Sequence, residues 1–170
     1  YTLTLDGLRG AVLQIVAHAF VVVGLFFTAE IIFRRYETRE IAEMGGIRSQ
    51  TPKFSSLFLI LVMASISLPS TFNFVGEFTV LYSLSKINVW FAVLGGTSII
   101  LGAYYMLRMF QHAMLGKTNT KLFADVLINE GITLVVIIAV LLFFGMYPKP
   151  IIDLITPSIE QILIQINRIN

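Results

Sequence analysis

An all-α, polytopic transmembrane helix bundle is the fold this sequence predicts, with four spans, one of them discontinuous, and a C-terminal amphipathic surface helix. Three observations carry that expectation. Of the 170 residues, 56% are hydrophobic and only 13% are charged, against roughly 25% charged in soluble domains, and the mean hydropathy is +0.84. Apolar runs of bilayer length recur along residues 1–150, separated by polar loops. From Ile151 to Asn170 the pattern changes to an amphipathic 3.6-residue period.

The first span is predicted over Ala11–Phe33, a run that reaches ~34 Å as a helix and so crosses a hydrocarbon core. A polar loop ending at Pro52 and Lys53 follows. The second span, 54–84, is too long for one straight crossing, and Pro69 and Gly76 bracket a stretch, PSTFNFVG, that breaks it. Broken helices at membrane depth are tolerated where they pack in protein or line a hydrated cavity. A turn at Ser85–Asn88 leads to the third span, 89–109, whose Ala92, Gly95, Gly96, Gly102 and Ala103 suit close helix packing. The fourth span, 128–147, is ended by Pro148 and Pro150. In the tail, Ile152, Ile155, Ile159, Ile162, Leu163, Ile166 and Ile169 form an apolar stripe. The polar face is poor in Lys and Arg, which argues against an anionic lipid surface and for packing along a partner.

Several function classes are excluded. With no cysteine there are no disulfides, thiolate iron–sulfur sites or Cys-based zinc sites. His18 and His112 alone do not make a metal centre. No glycine-rich phosphate loop or dinucleotide fingerprint is present, and a net charge of +2 gives no nucleic-acid signal. No cofactor is expected. The chain begins at Tyr1 with no cleavable signal pattern, and reads as the later part of a longer, processed or split polypeptide.

Glu77 is the one charged residue in 54–84. A charge near a bilayer centre costs about 2.5–3.5 kcal/mol even on lenient scales, so such a group faces protein or water and marks ion or proton handling. The structural alternative is a half-helix starting near Phe74, with Asn73 as its N-cap and Glu77 complementing the macrodipole in its first turn. His18 lies mid-span with Gln14 one turn earlier on the same face. It reads either as a neutral core histidine or as a proton carrier, since its ordinary pKa of ~6.5 suits repeated protonation. Glu30 has Arg34 at i+4 and reads as a surface pair. Tyr104, Tyr105 and Arg108 suit interfacial anchoring, with proton uptake as a second role for Tyr104. Glu130 reads as an acid at a helix N-terminus and His112 as solvated.

Four stretches, GAVLQIVAHAF (10–20), TREIAEMGGI (38–47), LPSTFNFVGEF (68–78) and GMYPKPIIDL (145–154), together resemble the antiporter-like membrane subunits of proton-pumping NADH:quinone oxidoreductase, respiratory complex I. The similarity runs in order over nearly the whole chain and corresponds to the last third of such a subunit. Glu77 stands where related sodium/proton antiporter subunits and the other pumping subunits usually carry lysine, which sorts the chain to one branch of the family. Departures include Ala17 and Ala19 beside His18, Ser70 in place of a usual glycine, and Glu30.

The resemblance implies a midplane line of ionisable residues that includes His18 and ends at the exit acid Glu77. The family's input glutamate and two lysines belong to preceding helices. It further implies other membrane-arm subunits as partners, a bacterial plasma or mitochondrial inner membrane, and no NADH or quinone site here. A related antiporter or membrane-bound hydrogenase subunit, and a purely structural membrane segment, remain as alternatives.

Orientation follows from the basic residues. Arg34, Arg35, Arg39, Arg48, Lys53, Arg108, Lys117 and Lys121 fall on one side of an even-span topology, and Arg9, Lys86, Lys149 and Arg168 on the other. The first side is predicted to face the cytoplasm or matrix. In the cysteine-free chain, a Ser49→Cys thiol should react with impermeant reagents from that side only, and a Ser158→Cys thiol from the outer side only. Labelling of both from one side would rule out the topology.

Overall fold

The computed structural model describes residues 3–116 and 122–169. Tyr1, Asn170 and the loop residues Lys117 and Lys121 lie outside the described residues. Among those described there are seven α-helices, one 3₁₀ turn at Ile41–Glu43 and no strand. The helices are α1 (Leu5–Tyr36), α2 (Ile47–Gln50), α3 (Pro52–Ser65), α4 (Phe72–Ile87), α5 (Val89–Met114), α6 (Ile128–Met146) and α7 (Lys149–Ile169). Three of them, α1, α5 and α6, are long and apolar enough to cross a membrane, and α3 is a shorter apolar helix.

Helix α1 overruns its predicted span at both ends because it is well capped. The Thr4 hydroxyl accepts from the Gly7 N–H at 3.1 Å, Asp6 lies in the first turn and Arg34 and Arg35 in the last, each complementing the macrodipole. The helix then serves as the spine of the bundle. Thr4 meets Ser83 (2.7 Å) and Asp6 meets Lys86 (2.9 Å). Gly10 lies against Val80, and Gln14 lies against Gly76. As residue numbers rise on α1 they fall on α4, so the two helices are antiparallel. Farther along, Gly24 packs on Leu61 of α3 and on Ile137 of α6. Helix α1 therefore runs beside both halves of the broken span in turn, first α4 and then α3.

The break falls at residues 66–71, earlier than the PSTFNFVG stretch predicted. Ser67 (φ 58°) and Ser70 (φ 77°) both adopt the left-handed region, a conformation that glycine adopts more cheaply. The Leu68 N–H reaches back to the Met63 carbonyl (3.1 Å), and the Thr71 N–H donates to the Leu68 carbonyl (3.0 Å). Gly76, expected to bracket the break, is instead inside α4. A Cβ there would lie 2.8 Å from the Gln14 backbone, so this glycine permits close approach between helices. Gly145 of α6 plays the same part at the break, its α-carbon pressed on the Ser70 and Thr71 backbone, next to a Phe72–Phe144 ring contact of 5.5 Å.

On the basic side, the helix ends are joined by polar contacts. Arg35 donates to Glu130 at 2.6 Å and to the Asp125 carbonyl at 3.3 Å, and its guanidinium lies 5.1 Å from the Phe123 ring centroid. The Asp125 carboxylate accepts from the Phe54 N–H (3.0 Å) and the Lys53 N–H (3.3 Å), capping α3. Helix α5 is the outlier: only Phe110, Ala113 and Met114, at its C-terminal end, are buried.

The tail helix is amphipathic as predicted, but its stripe is not left for a partner alone. Ile151, Ile152 and Ile155 pack on the core and Ile159 is buried, while Arg9 of α1 donates to Thr156 at 3.0 Å. One face of the first turns of α7 thus docks on this chain, while Leu154 on the other face and Ile162 and Ile164 farther along stay exposed. A polar face poor in basic residues is compatible with either surface; the sequence pattern does not say whose apolar face the stripe meets.

Gly145→Ala should cost about 1–3 kcal/mol, the usual cost of overpacking against backbone, and lower the thermal midpoint in detergent. Gly102→Ala, whose Cβ would meet nothing closer than 4.0 Å, should leave the midpoint unchanged or raise it. Equal midpoints for the two variants would contradict the close approach of α6 to the break.

Candidate functional site

Glu77 is half-buried on α4. About 15 Å of helix separates it from Ile87, half the ~30 Å thickness of a hydrocarbon core. Because α4 starts at Phe72, with Thr71 at the N-cap and no side-chain cap bond, Glu77 lies past the first turn and Asn73 is inside the helix. Neither residue therefore has the capping role that a start near Phe74 would give it. The start is set instead by the serine break upstream.

What Glu77 does contact is the amide of Gln14, whose Nε2 donates to Oε1 at 3.0 Å. The closeness of α1 and α4 at Gly76 makes that contact possible, since a side chain at position 76 would occupy the space of the Gln14 amide. Around the carboxylate lie polar atoms short of partners among the described residues. Gln14 Oε1 is buried and unpaired, as is Oδ1 of Asn73, one turn before Glu77 on the same face of α4 and 1% exposed. Ser67 Oγ, in the break itself, is also buried without a partner. Buried polar atoms are nearly always satisfied in folded proteins, and two of the exceptions fall on the residue that bonds Glu77 and on the residue one turn before it. Glycine contacts, helix break and carboxylate together make a polar seam through an apolar bundle.

His18 lies one turn along α1 from Gln14, and its side chain is exposed on a face that the rest of this chain leaves uncovered. It is not a buried core histidine. The hydrogen bond to Glu77 comes from Gln14, which the sequence marks only as the neighbour of His18. A polar side chain inside an apolar span, at i−4 from a titratable one, was the available signal.

Glu30 pairs with Arg34 at 2.7 Å on the surface, as the i+4 spacing predicts. It also lines a groove of about 600 Å³, walled by Leu25, Phe26, Phe58, Met106 and Met109 and containing Arg39. Tyr104 is 62% exposed and its hydroxyl accepts from Arg108 at 2.7 Å. His112 is exposed. Glu130 does act at the N-terminus of α6, accepting from the Leu127 N–H at 2.9 Å. The same carboxylate also holds Arg35, a pairing that the spacing of 95 residues hides from sequence reading. Among the described residues, no group of three His, Asp or Glu is placed to hold a metal ion.

Comparison with known proteins identifies relatives of this chain. The family model described as NADH:quinone oxidoreductase/Mrp antiporter, transmembrane, matches residues 1–103. NADH-quinone oxidoreductase subunit M of Rickettsia typhi is 36% identical over 168 residues, covering 97% of this chain and 34% of that protein. A chain of respiratory complex I from Thermus thermophilus with bound NADH superposes with a TM-score of 0.89 at 28% identity, over 95% of this chain and 34% of its own length. A chain of the Mrp complex from Dietzia sp. DQ12-45-1b gives 0.81 at 15% identity, covering 92% and 38%, a likeness of fold alone. This chain thus spans about a third of the length of the curated relatives it matches.

Proposed function

The chain belongs to the NADH:quinone oxidoreductase/Mrp antiporter transmembrane family, and we propose that it carries the exit end of a proton relay in the membrane arm of an NADH:quinone oxidoreductase, as subunit M, with Glu77 as the terminal proton carrier. The observation that supports this most is an ionisable carboxylate about half a bilayer from its helix end, beside a helix break, with a side-chain amide on it.

In this reading a proton reaches Glu77 from groups nearer the midplane, among them His18, and leaves towards the side bearing Arg9 and Lys86. His18 faces outward from this chain, so it takes part through neighbouring helices or water on that face. The chain supplies no oxidation or reduction; free energy arrives by coupling from other subunits. Such coupling shifts a transport group between states only if the two states differ in their interaction with its charged and neutral forms. The break is where α3 and α4 can differ, since two serines there hold left-handed backbone conformations that join the half-helices. The bacterial plasma membrane or the mitochondrial inner membrane is the setting that this assignment implies.

The test uses the full-length protein in its assembled complex. Glu77→Gln keeps shape and hydrogen bonding but not ionisation, and should abolish most pumping per assembled complex. Glu77→Asp should keep part of it. His18→Ala should cause a milder loss, because water can bridge an open face. NADH oxidation by an artificial acceptor controls for the redox arm. Full pumping by an assembled Glu77→Gln complex would refute the relay role and leave the carboxylate as a structural feature of α4.

A further inference from the structure

We infer that Gln14 is a positioning residue for Glu77, one whose amide serves both protonation states of the carboxyl: its N–H₂ end holds the carboxylate and its carbonyl end takes the O–H of the protonated acid. The inference rests on the proposed role of Glu77 as a proton carrier and adds the group that makes repeated protonation possible at that place.

The geometry begins with reach. The Gln14 amide nitrogen lies 3.0 Å from Glu77 Oε1, an ordinary N–H···O hydrogen-bond length. Once Glu77 gains a proton, forming a new O–H bond, that oxygen becomes a donor and requires an acceptor. An amide carries two donors and an acceptor on one planar head, and the acceptor here, Oε1, is buried and without a partner among the described residues. A half-turn about the last side-chain torsion exchanges the two ends at nearly constant position. That torsion is broad and roughly two-fold, so the exchange meets no steep intrinsic barrier. When the proton leaves Glu77 for water on the exit side, the O–H bond breaks, the carboxylate returns and the amide turns back.

Two further features suit this role. Gly76 leaves room for the amide head, because a Cβ there would lie 2.6 Å from Oε1. Asn73, on the same face of α4 as Glu77, has its own unpaired Oδ1, so a second amide borders the seam. Lys or Arg at position 14 would supply donors only, and Asp or Glu a second charge. Glutamine offers neutral donors and an acceptor on one short, rotatable head.

The test is infrared difference spectroscopy on the full complex during protonation of the membrane arm, with pumping measured per assembled complex. The carboxyl band of Glu77 is identified by its loss in Glu77→Gln. Gln14→Leu, which removes donor and acceptor at similar volume, should move that band to higher wavenumber, as a carboxyl does on losing a hydrogen-bond partner, and should lower the protons pumped per electron. Gln14→Lys, a donor only, should hold Glu77 as the carboxylate and erase the band. Should Gln14→Leu fail to assemble, Gln14→Asn keeps the chemistry but shortens the reach by a methylene, and the same upward shift is expected. Gly24→Ala, which crowds the α1–α3 contact nearly three turns from the amide (its Cβ would lie 2.8 Å from the Leu61 side chain), separates packing from hydrogen bonding, since it should change stability and leave the band position in place. A band unmoved in the assembled Gln14 variants would overturn the inference while leaving the relay intact. If Glu77→Gln removes no band at all, the proton-carrier role fails first.

Discussion

Backbone-to-backbone approach of α1 to the broken span is the constraint on which the rest depends. At Gly10 and Gly76 the two helices come closer than any side chain allows, so the partners that face each other there are set by main chain rather than by adjustable side-chain packing. In an apolar solvent there is little hydrophobic drive for helices to associate, and close contact through small residues takes its place. One result is register. With Gly10 on Val80 and Gly76 on Gln14, the amide at position 14 can meet only the carboxylate at position 77. A bulkier seam would let α4 slide or rotate, and the acid would lose its partner.

The break is built by similar means but with the opposite local character. Two serines take left-handed backbone conformations that cost non-glycine residues about 1 kcal/mol or more each. Phe72, fully buried against Phe144, and the backbone of α6 at Gly145 hold the segment in place. Strain of this kind persists only where the surroundings over-determine it. The surroundings here are α6 on one side and α1 on the other, so the discontinuity belongs to the bundle rather than to the segment alone.

Much of this architecture is legible in the sequence, and the reasons for the remainder are specific. Hydropathy places α1, α5 and α6 within a few residues, because an apolar run of bilayer length finds its match in a lipid core and rarely elsewhere. It indicates a break in the second span but misplaces its limits, since Gly76 reads equally as a helix breaker or as a contact glycine until its neighbour is known. The cap is misread with it: Asn73 has the side chain for an N-cap, yet that position falls two residues upstream at Thr71. Glu77 stands out by charge, whereas Gln14 does not, because a neutral amide inside a span carries only a weak signal. The Arg35–Glu130 pair, 95 residues apart, cannot be seen without coordinates. Docking of the tail through Ile159 is visible as a stripe but not as a destination.

The polar clasps at the two faces of the bundle have a mechanical result. Arg35, Glu130 and Asp125 secure the helix ends on one face, while Thr4 with Ser83, Asp6 with Lys86 and Arg9 with Thr156 secure them on the other. A beam clamped at both ends bends at its thinnest section. Here that section is residues 66–71, where regular hydrogen bonding lapses and two half-helices meet. Lateral pressure on the bundle is therefore focused into a few ångströms of chain, less than two turns away from the acid.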